Sequence, residues 1–151
     1  MLTMEQAIRA MVMGQQRMID LSARLPEEKY VYPGWTMKQV IDHLTGWDEM
    51  ALCLIEATHG TGNMPDPINS LDVYNTSSIE KRKPLPLRLS IEEYVITRKA
   101  LVQAFIGLPK DVAEKEIMFP WGSAGTLTKL LQIWVEHEES HRNELFGLLK
   151  G

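Results

Sequence analysis

Cysteine is almost missing from the chain: Cys53 is the only one in 151 residues, so no disulfide can form within it, and stability must come from a packed core. Long apolar runs are missing too. The first 25 residues are interrupted by Glu5, Gln6, Arg9, Gln15, Gln16, Arg17, Asp20 and Arg24, which leaves no apolar stretch of the secretory-signal kind. No uncharged run elsewhere is long enough to span a bilayer. Positive charge is not in surplus either. Lys and Arg number 16 against 20 Asp and Glu, a net charge of −4 with His neutral, whereas nucleic-acid-binding surfaces are strongly basic. No segment repeats at a fixed period. These absences predict a chain with neither nucleic-acid nor membrane partners, working in a reducing, cytoplasmic setting.

What is present is an ordinary globular composition, 44% hydrophobic and 24% charged, enough for one core. At ~100–150 residues per typical domain, the expectation is a single domain over 1–151. Thr3-Met4-Glu5-Gln6 has the capping-box pattern and opens a helix with Ala7, Met11, Gly14, Met18, Leu21 and Leu25 on one face. Pro26 ends it. Tyr30-Val31-Tyr32-Pro33-Gly34 then reads as a short extended link. Thr36 and Gln39 form a second box, and Val40, His43, Trp47, Met50 and Leu54 share the stripe that follows.

Small polar residues, Gly and Pro make 58–67 a loop, with a short helix expected from Asn69 through Lys83, before Pro84 and Pro86. Ser90-Ile91-Glu92-Glu93 is a third box, heading a helix with Tyr94, Arg98, Leu101, Phe105 and Leu108 aligned. Phe119-Pro120-Trp121-Gly122 is a rigid turn. Gly125-Thr126 opens the last helix, whose stripe is Leu127, Leu130, Trp134, His137, His141, Leu145 and Leu148. No two-residue alternation is long enough to anchor a sheet. The expected fold is all-α: a four-helix bundle with a short extra helix between the second and third long helices.

Three of the four histidines sit on stripes that must face the core, and only His59 lies in a loop. His137 and His141 are four residues apart, so one helical face brings their rings together. His43 comes from another helix. Three neutral imidazoles with a position left for water or substrate suit Zn²⁺, Ni²⁺, Co²⁺ or Fe²⁺. A histidine on an apolar face can equally be a hydrogen-bonded core residue, but three together favour a metal. His137-Glu138-Glu139-Ser140-His141 also matches the H-E-x-x-H pattern of zinc peptidases, in which the glutamate is the general base. The downstream ligand usual in those enzymes is not available, because ten residues follow His141 and Glu144 is their only acid.

The chain resembles the DinB-like superfamily, whose signature is a histidine early in the second helix and an H-x-x-x-H pair in the last. The matching residues are Trp35 to Leu44 around His43, and Glu136 to His141. Asp72-Val73-Tyr74-Asn75 and Pro120-Trp121-Gly122 extend the likeness. The resemblance implies a bundle holding a divalent metal on His43, His137 and His141, often as a homodimer. It also implies thiol-dependent chemistry with a low-molecular-weight thiol as cosubstrate, acting on a small molecule. A weaker similarity links the chain to the ClbS/DfsB branch, where a toxin-hydrolysing protection protein is known and the triad need not be kept.

Glu138, Glu144 and Asp42 neighbour the ligands in sequence and are candidate proton acceptors or imidazole-orienting groups, with Glu138 the candidate catalytic residue. Arg98 breaks an apolar stripe: either it holds a substrate carboxylate in a cleft, or it buries its stem while its head reaches water. Trp47 is a candidate substrate contact, and Trp121 and Trp134 are core or pocket wall. Cys53 reads as a small buried residue, and Lys81-Arg82-Lys83 as a solvated run. Three functions remain open: a metal-dependent transferase or hydrolase, a non-catalytic dimeric bundle with a structural metal, and a metal-independent protection hydrolase. An open coordination position facing a cavity would favour the first.

Overall fold

Thr3 opens the first helix as expected. Its Oγ1 accepts from the Gln6 N–H at 3.1 Å, Gln6 Oε1 accepts from the Thr3 N–H at 2.9 Å, and α1 runs Met4–Arg24. The computed structural model describes residues 1–32 and 34–150; Pro33 of the extended link and Gly151 lie outside the described residues. The link itself is a ribbon, β1 (Tyr30–Tyr32) antiparallel to β2 (Trp35–Thr36), and Gly34 turns it at φ +84, which a side chain would oppose. Thr36 and Gln39 close the second capping box, and α2 runs Met37–Thr58.

The connection after α2 carries α3 (Leu71–Lys81), capped by Ser70 accepting from the Val73 N–H at 3.2 Å. The third capping box does not form. The next helix, α4, is Leu87–Ile106 with Pro86 at its N-cap, so Ser90 is buried in its first turns rather than capping it. Pro86 supplies a backbone suited to helix entry, and Leu87 and Ile91 gain burial against an apolar cluster, which draws 87–89 into the helix. A single turn, α5 (Lys110–Ala113), and a second ribbon, β3 (Ile117–Met118) with β4 (Ala124–Gly125), lead to α6 (Leu127–Lys150). Thr126 caps α6 by accepting from the Lys129 N–H at 3.1 Å.

Two apolar clusters divide the bundle along its length. One holds Met11, Leu54, Leu101, Leu130 and Trp134; the other holds Met18, Leu44, Tyr94 and Leu145. Following these residues along each helix, α1 and α6 run one way while α2 and α4 run the other. Parallel neighbours cannot be joined by a tight turn, which accounts for the long crossover bearing α3.

A charged layer lies between the clusters. Arg98 on α4 is only 2% exposed, and its guanidinium uses all five N–H groups. Nε and Nη2 donate to Asp48 on α2 at 2.7 and 3.1 Å, Nη1 and Nη2 donate to Glu138 on α6 at 2.9 and 3.3 Å, and Nη1 also reaches the Met11 carbonyl on α1 at 3.1 Å. Tyr94 donates to the same Glu138 carboxylate. Arg98 therefore neither faces a cleft nor reaches water, because two buried carboxylates supply its counter-charge inside the bundle. The run at 81–83 is not wholly solvated either: Arg82 is buried and donates to Glu93 at 2.8 Å and to the Ser78 carbonyl at 3.1 Å, fastening the end of α3 to α4.

Removing one member of a buried ion network is far more damaging than its net contribution suggests, since the partners stay buried and unpaired. Arg98→Met should therefore lower unfolding free energy by about 3–5 kcal/mol in urea titration. A loss below about 1 kcal/mol would mean that Asp48 and Glu138 rearrange to water without it.

Candidate metal centre

His43 lies on the second turn of α2, and His137 and His141 on successive turns of α6. Across the helix pair the His43 ring stands 5.3 Å from each of the other two, and the α6 rings are 4.5 Å apart, all nearly edge-on. One nitrogen from each ring lies within 4.8 Å of the others. His137 Nε2 and His141 Nε2 are 3.0 Å apart. Nitrogens bound to one ion at ~2.0–2.1 Å with tetrahedral or octahedral angles are separated by about 3 Å, so this spacing fits two ligands of one metal.

The orientation of His43 follows from a chain of donors. Indole Nε1–H can only donate, and Trp47 gives it to Asn75 Oδ1 at 2.8 Å. Asn75 must then present oxygen to His43 Nδ1 as well, 3.0 Å away, so that nitrogen carries the proton. The Nε2 lone pair is left facing the cluster. His43 Nε2 is buried and has no hydrogen-bond partner, which is the state of a nitrogen waiting for an acid to accept its pair. The donor set and the orphaned atom both fit a divalent cation.

Asn75 was given no role by sequence reasoning. Its signal was a polar residue one turn from Leu71 and Ile79 on a short helix with little amphipathic pattern of its own. Close packing sets its position: a Cβ on Gly46 of α2 would come within 2.2 Å of Ser78 Oγ, and Tyr74 donates to the Gly46 carbonyl at 2.7 Å, so α3 lies directly on α2.

The cluster opens on a cleft of about 280 Å³, lined by His43, His137, Asn75, Trp47, Trp121, Trp134, Leu71 and Ile133. Of the candidate helpers, Glu138 is turned into the Arg98 layer, and Asp42 is buried with Lys38 Nζ 2.7 Å from its Oδ2. Glu144 is exposed, close enough to favour the charged form of His141 against the dominant effect of burial. Cys53 is half-buried outside the cleft lining, with Sγ 3.7 Å from the Asn63 carbonyl; burial and then Glu56 push its thiol pKa up.

The sequence profile of the DinB superfamily matches residues 3–145. The chain belongs to the DinB superfamily. Its fold is similar to the crystal structure of a mycothiol-dependent maleylpyruvate isomerase, with a TM-score of 0.80 and 15% identity over 95% of this chain and 61% of that one. A mutant of that isomerase gives a TM-score of 0.79 at 14% identity, over the same shares of the two chains. The present chain thus spans about 61% of the length of those structures. No curated protein matches it by sequence.

Burial, and then the neighbouring histidines, push His43 down to about 3; burial and then His141 push His137 down to about 4, and burial lowers His141. All three are neutral near neutral pH, the form that ligates metal. Below the unfolded value of 6.5 the unfolded chain takes up protons that the native site refuses, so stability falls as pH drops from 6.5 towards 4 and below. Each histidine adds up to about 1.4 kcal/mol per pH unit. Chelator-treated wild type should therefore lose stability with falling pH more steeply than a variant with all three changed to glutamine; equal slopes would show that the imidazoles protonate freely in the fold. Asn75→Leu, which removes the acceptor fixing the His43 tautomer, should weaken Zn²⁺ binding about 10–100-fold in competition titration. Unchanged affinity would separate Asn75 from the metal centre.

Proposed function

We propose that this DinB-superfamily chain is a metal-dependent enzyme acting on a small molecule by transfer to or from a low-molecular-weight thiol. The observation that carries the proposal is that two of the three clustered imidazoles, those of His43 and His137, line a cleft, not a sealed interior, which leaves room for a ligand beside an ion held there. His43, His137 and His141 would hold the cation; when bound, it supplies Lewis acidity that brings a thiol or water towards deprotonation near neutral pH. Asn75 and Trp47 hold His43 in its ligating tautomer. The tryptophans give the cleft an apolar wall.

Two features favour thiol transfer over hydrolysis. No cysteine lines the cleft, so the nucleophile has to arrive with a cosubstrate. Water would in turn need a proton acceptor, and Glu138, the acid best placed in sequence, is spent on Arg98 and Tyr94. The name of the structural neighbour, a mycothiol-dependent enzyme, supports the thiol as cosubstrate class.

Elemental mass spectrometry on desalted protein tests the metal, with about one ion per chain expected after loading and its loss in His43→Ala, His137→Ala and His141→Ala. Cobalt-loaded protein tests the thiol. Adding a small thiol should produce a thiolate-to-cobalt absorption band that saturates with concentration. If metal is retained but no thiol generates the band, the ion is structural or serves a hydrolase.

A further inference from the structure

The walls of the cleft select more narrowly than the triad does. Trp47, Trp121 and Trp134 meet one another with ring centroids 5.9, 6.0 and 6.1 Å apart, forming an aromatic corner. Ile133 and Leu71 continue the apolar lining, and Leu71, about half exposed, stands at the rim. Among the described residues that line the cleft there is no lysine, arginine, aspartate or glutamate. In the metal-free cleft an anionic group would leave its hydration without gaining a cation, a cost of several kcal/mol for an unpaired charge. A flat apolar ring loses nothing comparable and gains contact with aromatic faces.

Asn75, the amide among the described lining residues, is also specific in what it offers. Asn75 Oδ1 is engaged by both Trp47 and His43, so the amide presents only its Nδ2 hydrogens to a ligand. Those hydrogens call for an acceptor oxygen, and with no lysine or arginine in the described lining a ketone, ester or ether oxygen supplies one without burying a charge.

We infer that the cleft beside the triad binds an uncharged, planar, aromatic molecule bearing a hydrogen-bond-accepting oxygen, with its ring against Trp121 and Trp134 and its oxygen towards Asn75. That this molecule is also the one transformed rests on the proposed function; its binding does not require the ion.

A matched pair of probes tests the inference on chelator-treated full chain: 2-acetylnaphthalene, neutral with an acceptor oxygen, and 2-naphthoate, the same ring carrying a charge. Binding is followed by nuclear magnetic resonance of the isotope-labelled indole N–H groups. Saturable shifts of Trp121 and Trp134 are expected with the ketone, with the carboxylate at least about tenfold weaker and Trp121→Ala weakening the ketone by a similar factor. Trp121 is in the turn between β3 and β4, partly buried against Phe119 and Trp134, so its truncation removes no helical residue, and an unchanged circular dichroism spectrum checks that the bundle is kept. Equal or tighter binding of naphthoate overturns the inference, as does the absence of saturable shifts with the ketone. Because metal is removed, either result is independent of whether the triad holds an ion, which elemental analysis decides separately.

Discussion

The structure depends on one buried guanidinium. Arg98 donates to Asp48, Glu138 and the Met11 carbonyl, and so ties α4 to α2, α6 and α1 in one layer between two apolar clusters. Apolar packing alone would tolerate a helix rotated by a few tens of degrees or slid by part of a turn, since leucine and methionine surfaces are forgiving. Five directed hydrogen bonds are not. On α6, Glu138 faces Arg98; His137, one residue earlier and about 100° round the helix, is thereby turned to the cleft. On α2 the same logic holds for Asp48 and Trp47, adjacent in sequence and divided between the charged layer and the site. The register of the triad is thus inherited from an ion network that never touches it.

Charge is distributed accordingly. Arginine and carboxylates neutralise one another inside the bundle, whereas the site is built from neutral imidazoles, an amide and indoles. A divalent ion on three neutral ligands would leave a positive centre in an apolar surround, where an electrostatic partner counts for more than it would in water. A thiolate beside such an ion would be one such partner, offsetting one of its two charges. The rest of the described cleft lining, built from indoles, an amide and aliphatic side chains, adds no formal charge of its own.

The sequence revealed the histidine cluster more readily than its supports. Histidines at i and i+4 and a third on a distant stripe are visible as pattern, and the helices follow from caps and periodicity. Thr3 and Thr36 cap as their boxes predict, because nothing upstream competes; Ser90 fails because Pro86 and Leu87 offer an earlier start with more burial. Arg98 illustrates the harder case. Its place on the apolar face was legible, but the fate of its charge depended on carboxylates 50 and 40 residues away. Asn75 was harder still, since its role exists only once Gly46 lets α3 approach α2 closely enough for an amide to reach an imidazole.

The five residues from His137 to His141 show why pattern alone does not assign chemistry. In the H-E-x-x-H reading the glutamate takes a proton from water bound by its neighbours, which requires a carboxylate free to turn towards the ion. Here that carboxylate accepts two bonds from Arg98 and one from Tyr94 and is nearly inaccessible. Freeing it would leave the guanidinium half-paired in the core, at a cost comparable to much of the stability of a small domain. The fold therefore commits Glu138 to structure. A reaction at this site draws its reactive proton and nucleophile from what the cleft admits, not from the helix that carries the ligands.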